Sequence, residues 1–371
     1  MALWVPISIS TTRNAIFYSY LRAVKPNDDI MKIKHLLVAV AMLTVGAVTG
    51  AQAQESQAAK STGEKIKEFA DKHMRLSGYL QGGFSWDTDA GSTFYLRRAR
   101  VSLSGDFAKE KFDYRLQVDM AGSPKICDLY VRYKPLNELN VQLGQFKLPF
   151  SMENELYGPT KVELIEYSYL TTYLARNNDK YDGIWATGRD MGFQLYGGFI
   201  KRDGYSIINY NLGVYNGAGI NCKDNNKSKD AIARIIVKPF ATLSISGSYM
   251  YSEVNHGVKR YMKAPRWSAG LFWDNKHFVV RTEYAQADFG GNTTDAFYAL
   301  AGYHFAQPWT VAARYEFIND KAGLLDQQRI TLGGVYSPFK FLRLQLNATY
   351  EMDALREKNI FGGNLMVSAI F

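Results

Sequence analysis

From Arg75 to the end of the chain, apolar and polar residues alternate with a period of two. The clearest run is LRLQLNATY at 342–350, which sets leucine, alanine and tyrosine on one parity and arginine, glutamine, asparagine and threonine on the other. A period of two is typical of a β-strand with one apolar and one polar face. The pattern therefore predicts an all-β fold over 75–371.

Such runs occur sixteen times, and most have about nine to twelve residues. That is the length a tilted strand needs to cross the hydrocarbon layer of a membrane. The predicted strands are 76–86, 93–104, 112–120, 126–134, 139–147, 189–199, 206–215, 230–238, 242–251, 266–274, 277–287, 295–305, 309–317, 328–336, 341–350 and 360–371.

The connections between these strands alternate in length. Short turns are expected at 135–138, 274–276, 306–308 and 337–340, and longer segments at 216–229, 252–265, 288–294, 318–327 and 351–359. Short periplasmic turns and long extracellular loops are typical of bacterial outer-membrane barrels. The sequence thus predicts a transmembrane antiparallel β-barrel of about sixteen strands, closed where the last strand, ending at Phe371, pairs with the first.

The N-terminal part has the features of an export signal. An apolar run at 35–50 follows two lysines and precedes an Ala-Gln-Ala site, which predicts a cleaved secretory signal within 1–53. A signal peptide belongs at the N-terminus, so Met31 is the expected start, with residues 1–30 upstream of it; a buried core helix is the alternative for the run. Residues 54–74 are expected to form a short, helix-prone periplasmic lead-in.

Composition adds a charge argument. The chain is 14% aromatic and carries a formal net charge of +9. Sixteen strands enclose a lumen too wide for side chains to fill, and twelve basic but only six acidic residues fall on the polar parity. A positive lining favours the passage of small anions. The candidate pore-lining, anion-binding residues are Arg98, Arg100, Arg115, Arg132, Arg234, Arg281, Arg314, Arg329 and Arg343. The alternative is that these arginines pair with carboxylates across strands and only stabilise the wall.

One connection, 148–188, is much longer than the others. Loops of this length in a compact fold are usually functional, and we expect this third loop to fold into the lumen and set its narrowest point. Its candidate constriction residues are Lys161, Arg176, Lys180 and, at the start of the next strand, Arg189. The loop has six acidic and three basic residues, which is not the composition of a dedicated phosphate trap. The preceding strand alternates poorly, so either Gln145 with Lys147 or Phe146 faces inward.

Four stretches together resemble a known family, the phosphate-selective porins O and P. They are FYLRRARVSLSGDF at 94–107 with FDYRLQVDMAG at 112–122, LGQFKLPFSMEN at 143–154, and GRDMGFQLYG at 188–197. The resemblance implies a sixteen-stranded porin, a homotrimer, and basic residues at the constriction that bind phosphate. Arg98 and Arg100 fall on the RRAR motif, and Arg189 precedes the returning strand.

The expected function is passive diffusion of small hydrophilic solutes through an outer-membrane porin with a mild anion preference, which the resemblance extends to phosphate. No cofactor, metal or nucleic acid is expected. A plugged structural barrel or adhesin with binding loops is the alternative, and single-channel conductance separates the two. An outer-membrane hydrolase is less well supported, because it needs a positioned histidine base and the sequence has no G-x-S-x-G motif.

Overall fold

The computed structural model describes residues 71, 73–107, 111–176, 187–256, 259–305 and 308–371. The predicted signal segment, and all but three residues of the predicted lead-in, lie outside the described residues. His73–Phe371 forms one compact unit. Among the described residues, no helix is long and apolar enough to cross a membrane.

Sixteen antiparallel strands close into one barrel. They are β1 Arg75–Asp87, β2 Gly91–Phe107, β3 Phe112–Asp119, β4 Lys125–Tyr133, β5 Asn140–Lys147, β6 Arg189–Arg202, β7 Tyr205–Tyr215, β8 Asp230–Phe240, β9 Leu243–Tyr251, β12 Arg266–Asp274, β13 Phe278–Phe289, β14 Asn292–His304, β15 Trp309–Asp320, β16 Asp326–Phe339, β17 Leu342–Asp353 and β18 Lys358–Ile370. A separate hairpin between β9 and β12 consists of β10 Glu253–His256 and β11 Lys259–Lys263.

The predicted strand order, strand number and closure are confirmed. Every predicted strand overlaps an observed one, and each barrel strand pairs with its neighbours in sequence, with β9 next to β12 across the hairpin. Strand β1 pairs with β18, and the backbones of Gly78 and Phe371 exchange hydrogen bonds of 2.8 and 3.0 Å. The last strand therefore has a hydrogen-bonded neighbour on each side, so neither of its edges is left to pair with another chain.

Two segments that the alternation of short and long connections predicted as loops contain β-strand residues. The segment at 252–265 contains β10 and β11. The segment predicted at 288–294 is almost entirely strand, because β13 and β14 continue until only Gly290 and Gly291 connect them. Both glycines have positive φ, 63° and 98°, which permits a two-residue hairpin turn that the glycine pair itself could have indicated.

The distribution of polarity is that of a membrane barrel. Apolar side chains such as Leu143, Leu332 and Leu346 are 56%, 58% and 62% exposed, whereas polar-parity residues such as Arg100 and Gln345 are buried. Outward apolar and inward polar faces are expected when lipid surrounds the wall and water fills the lumen.

The connection between β5 and β6 packs against this polar face. It contains helix α1 Met152–Leu156, capped by Ser151, and a π-helical turn at Leu170–Leu174. Several of its large apolar side chains are fully buried in one cluster with inward-facing small residues of β13 and β14. The members of this cluster include Leu148, Phe150, Met152, Leu170, Leu174, Ala285, Ala287 and Ala296. Alanine at these wall positions leaves room for the connection to pack.

Candidate functional site

The described residues 148–176, here called the inner segment, contact widely separated strands of the barrel. All four of its glutamates form ion pairs with arginines of the wall. These pairs are Glu153–Arg314 on β15, Glu155–Arg234 on β8, Glu163–Arg281 on β13 and Glu166–Arg97 on β2. Since one segment can reach strands all around a closed ring only from within it, we infer that the inner segment lies in the lumen.

Carboxylates of the wall also bind the backbone of the inner segment. The side chain of Glu283 accepts hydrogen bonds of 2.8 Å from both the hydroxyl of Ser151 and the amide of Met152, at the start of α1. Glu316 accepts a hydrogen bond of 2.7 Å from the amide of Tyr169. Buried carboxylates that bind backbone amides hold a segment in one position, because an amide left without its acceptor is costly.

The ion pair between Arg97 and Glu166 shows how the wall holds the carboxylates of the inner segment in place and in their charged form. The guanidinium donates to both oxygens of the carboxylate, with a distance of 2.5 Å between Nη2 and Oε2. Burial raises the pKa of Glu166, but the charge and hydrogen bonds of Arg97 outweigh burial and lower it to about 2. The Glu166 carboxylate therefore stays ionised at physiological pH.

Two adjoining cavities, of about 220 and 390 Å³, lie between the inner segment and the wall formed by β1–β6. Both are rich in basic side chains. The smaller, here called cavity A, is lined by Arg97, Arg98, Arg100, Asp119, Lys125, Lys147, Pro159, Glu166, Tyr167, Thr172, Thr187 and Arg189. The larger, cavity B, is lined by Tyr79, Arg100, Arg115, Gln117, Asp128, Tyr130, Arg132, Gln142, Phe146, Lys147, Glu155, Leu156, Gly158, Pro159, Thr160, Lys161 and Arg189. Together they present nine basic and four acidic residues.

Four of these cations, Arg98, Lys125, Lys147 and Lys161, have no carboxylate partner within 4.0 Å among the described residues. Arg98 donates a hydrogen bond of 2.9 Å to the amide oxygen of Gln81, and Lys147 donates to the backbone carbonyl oxygens of the inner segment at Asn154 and Tyr157. A cation bonded only to neutral groups has no neighbouring carboxylate that cancels its field. Cavities A and B are therefore positive, and Arg98, Lys125, Lys147 and Lys161 carry the charge that no carboxylate compensates.

The five other basic residues of the cavities, Arg97 among them, are partly neutralised by carboxylates. Arg100 pairs with Asp119 at 2.8 Å, and Arg189 pairs with Asp128 at 2.6 Å. The remaining pairs are Arg115–Asp128 and Arg132–Asp113. Carboxylates that contact their arginines fix the guanidinium planes in position.

Arg97 is a cavity residue that alternation does not reveal. Gln81 pairs with Arg98 and Gly82 with Leu96, so Arg97 is the extra residue of a β-bulge. The bulge lets two consecutive arginines face the lumen. The adjacent arginines Arg97 and Arg98 could have indicated this bulge. Strict alternation would place one of them on the lipid face, at a cost of about 2–4 kcal/mol near the midplane.

Strand β5 combines the two alternatives that its sequence left open. Phe146 and Lys147 both line cavity B, whereas the side chain of Gln145 donates to the backbone of Ile126 and Cys127 on β4. Gly144 has a φ of 129°, and a Cβ at that position would lie 2.2 Å from the carbonyl oxygen of Leu129. This local irregularity explains why the alternation fails between Gly144 and Lys147.

The structure separates the predicted site residues into two groups. One group lines the cavities and consists of Arg98, Arg100, Arg115, Arg132, Lys161 and Arg189. The other group binds the inner segment or wall carboxylates and consists of Arg234, Arg281, Arg314, Arg329 and Arg343. Arg176 is fully buried and pairs with Asp230 at 2.6 Å. Lys180 lies outside the described residues. Within them, no group of three or more His, Cys, Asp or Glu side chains could hold a metal ion.

The comparison with protein families decides the classification. The model of the family described as phosphate-selective porin O and P matches residues 77–295, more than half of the chain. The chain belongs to this family. The porin barrel and the family together make it an outer-membrane channel. No curated protein matches the sequence.

Solved porin structures share the fold of this porin at low identity. An anion-selective porin from Comamonas acidovorans aligns with a TM-score of 0.64 and 15% identity, over 80% of this chain and 99% of that one. The outer membrane channel DcaP of Acinetobacter baumannii aligns with a TM-score of 0.59 and 14% identity, over 80% and 97%. The trimer form of OmpT, an outer membrane protein of Vibrio cholerae, aligns with a TM-score of 0.58 and 11% identity, over 80% and 99%. At these identities the likeness establishes the fold alone.

Proposed function

We propose that this porin lets small hydrophilic solutes diffuse across the outer membrane with a preference for anions, phosphate among them. The observation that carries the proposal is the pair of adjoining cavities in which nine basic residues face four acidic ones. A lumen with this excess raises the local concentration of anions and lowers the barrier to their passage.

The acid-rich inner segment is compatible with this preference. Its four described glutamates are each paired with an arginine of the wall, so their charges are compensated locally. Arg98 and Lys147 have no such partner among the described residues, and they are two of the groups that line cavity A. The net field in the open part of the lumen is therefore positive.

Two further points support phosphate as one of the anions. The family is described as phosphate-selective, and the barrel resembles that of a porin whose description is anion-selective. Cavity A has six basic residues around about 220 Å³, which suits a small, strongly charged anion. Several moderately spaced cations also allow a solute to bind and leave again, as conduction requires.

Planar-bilayer recording tests this proposal. Across a potassium chloride gradient, the reversal potential should show chloride preference, and added phosphate should reduce the chloride current. The double variant Arg98→Gln, Lys147→Gln should lose most of the preference. Arg202→Gln, an exposed residue at the end of β6, is the matched control and should keep it.

Two outcomes would contradict the proposal. A reversal potential that shows cation preference would overturn the assignment of a positive lumen. Absence of steady single-channel conductance from correctly folded protein would favour the plugged structural barrel instead.

Assembly and export are further proposals. We propose that three copies associate, since a structural neighbour is described in a trimer form, and that residues 1–53 are removed on export. The mass of the purified complex in detergent tests the first. N-terminal sequencing of the mature protein tests the second, with Gln54 as the expected first residue.

A further inference from the structure

Cavities A and B differ in the chemistry of their walls. Tyr167 is the aromatic residue that lines cavity A. Cavity B is larger, about 390 Å³, and adds the side chains of Tyr79, Tyr130, Phe146 and Leu156. An inorganic anion gains nothing from apolar walls. Sites that combine apolar and aromatic surface with a few fixed charges are typical of organic ligands.

The aromatic groups of cavity B are arranged beside a guanidinium. The ring of Tyr130 contacts Phe146 edge to face, with 6.1 Å between centroids, and the guanidinium carbon of Arg132 lies 5.1 Å from the Tyr130 centroid. Arg132 is in turn bound by the carboxylate of Asp113 at 2.6 Å. A fixed guanidinium plane and a fixed aromatic ring are both surfaces on which a planar ligand stacks.

The charged end of a ligand would lie next to this surface. Arg100 and Lys147 line both cavities, so cavities A and B adjoin at a positive boundary. The guanidinium of Arg100 also donates to the hydroxyl of Tyr79 at 3.1 Å. A ligand with its anionic group at this boundary would extend its organic part into cavity B, towards Tyr130.

We propose that the channel takes phosphate monoesters that carry an aromatic ring, with the phosphate in cavity A and the ring in cavity B. The inference rests on the proposed anion preference and adds a substrate class to it. Inorganic phosphate and small alkyl phosphates share the charge of this ligand and lack its ring, so they should bind more weakly.

The experiment compares phenyl phosphate with methyl phosphate and inorganic phosphate as blockers of the chloride current in a planar bilayer. Phenyl phosphate should block at a concentration about fivefold below that of methyl phosphate, since its ring adds an aromatic contact that methyl phosphate lacks. In Tyr130→Ala the ratio of the two blocking concentrations should fall to about one. Tyr130→Phe keeps the ring and should keep most of the ratio.

Tyr249→Ala removes a tyrosine from the exposed apolar face of β9 and is the matched control, so its ratio should stay at the wild-type value. If Tyr130→Ala does not form channels, the ratio of the two blocking concentrations is compared between the wild type and Leu156→Asn. Leu156 also lines cavity B, so this variant should lower the ratio. Equal block by phenyl and methyl phosphate in the wild type would overturn this inference and leave anion preference standing. Cation preference without any phosphate block would overturn the proposed function itself.

Discussion

The two sides of the lumen use the same residue type for different tasks. On one side, beside β2–β5 and here called the open side, arginines and lysines border cavities A and B. Arg98 and Lys147 have no carboxylate partner there among the described residues. On the other side, beside β13–β17 and here called the covered side, the inner segment packs against the wall. There Arg281 and Arg314 pair with carboxylates at 2.6 and 2.9 Å. Under the proposed anion preference, an inward arginine should contribute most where no carboxylate reaches it.

This difference explains how an acid-rich loop is compatible with the proposed anion preference. A count of charges along 148–188 predicts repulsion of anions, because acidic residues predominate. In the structure, the glutamates of the inner segment are used to attach it to the wall. Because these glutamates are compensated by arginines of the wall, the excess of positive charge in cavities A and B remains.

The largest effect is expected from charge reversal on the open side. Replacing both Arg98 and Lys147 with glutamate introduces two carboxylates where two uncompensated cations stand, and it should convert chloride preference into potassium preference. The measurement is the reversal potential across a potassium chloride gradient. Lys340→Glu combined with Arg202→Glu makes the same charge change at exposed positions and should keep the wild-type sign. If this control also converted chloride preference into potassium preference, charges in the lumen would have no greater effect than charges at exposed positions.

On the covered side, loss of a buried arginine should affect stability more than ion preference. Arg314→Met leaves Glu316, which is fully buried, with one arginine fewer and deprives Glu153 of its partner. Breaking such a pair costs about 3–5 kcal/mol. Urea unfolding in detergent should show a clearly lower midpoint, and single-channel records should become noisier. Arg356→Met, an exposed residue between β17 and β18, should leave both unchanged. A normal midpoint for Arg314→Met would mean that the inner segment is attached by other contacts.

The period of two was sufficient to predict the wall. It gave the order of all sixteen strands and the pairing of the last with the first, because lipid on one side and water on the other impose alternation on every strand. It could not predict Arg97, since a bulge adds one residue and changes the parity locally. It also could not predict partners such as Glu163 and Arg281, which are 118 residues apart in sequence. Such pairs depend on how the inner segment folds, and no local pattern records that.

A smaller effect is expected from the carboxylate that binds the start of α1. Glu283→Gln keeps the size of the side chain but loses its charge, so the hydrogen bonds from Ser151 and Met152 become weaker. Hydrogen bonds to a charged group contribute about 1.5–3 kcal/mol, and only part of that is lost. We expect more frequent brief closures in single-channel records with an unchanged reversal potential. Glu253→Gln on the outer hairpin is the control. A changed reversal potential without extra closures would contradict a purely positional role for Glu283.

The smallest effect concerns Glu166, which lies on cavity A and binds Arg97. Since its pKa is lowered from 4.5 to about 2 in the folded protein, it stays ionised as pH falls from 8 to 4, and its stabilising pair with Arg97 is lost only as pH falls towards 2. Anion preference should therefore be independent of this group above pH 4. Glu166→Gln should reproduce the protonated state at pH 7 and raise anion preference slightly, because the charge of Arg97 becomes available to solutes.

Reversal potentials at a series of pH values in the wild type and in Glu166→Gln measure this effect. Suppose the wild type instead gained anion preference with a midpoint between pH 4 and 6, and the variant did not. Glu166 would then titrate as an ordinary carboxyl group, which is incompatible with a bidentate pair to Arg97. The bulge that turns Arg97 inward would in that case add a free cation to cavity A, and the two cavities would have five cations without a carboxylate partner among the described residues in place of four.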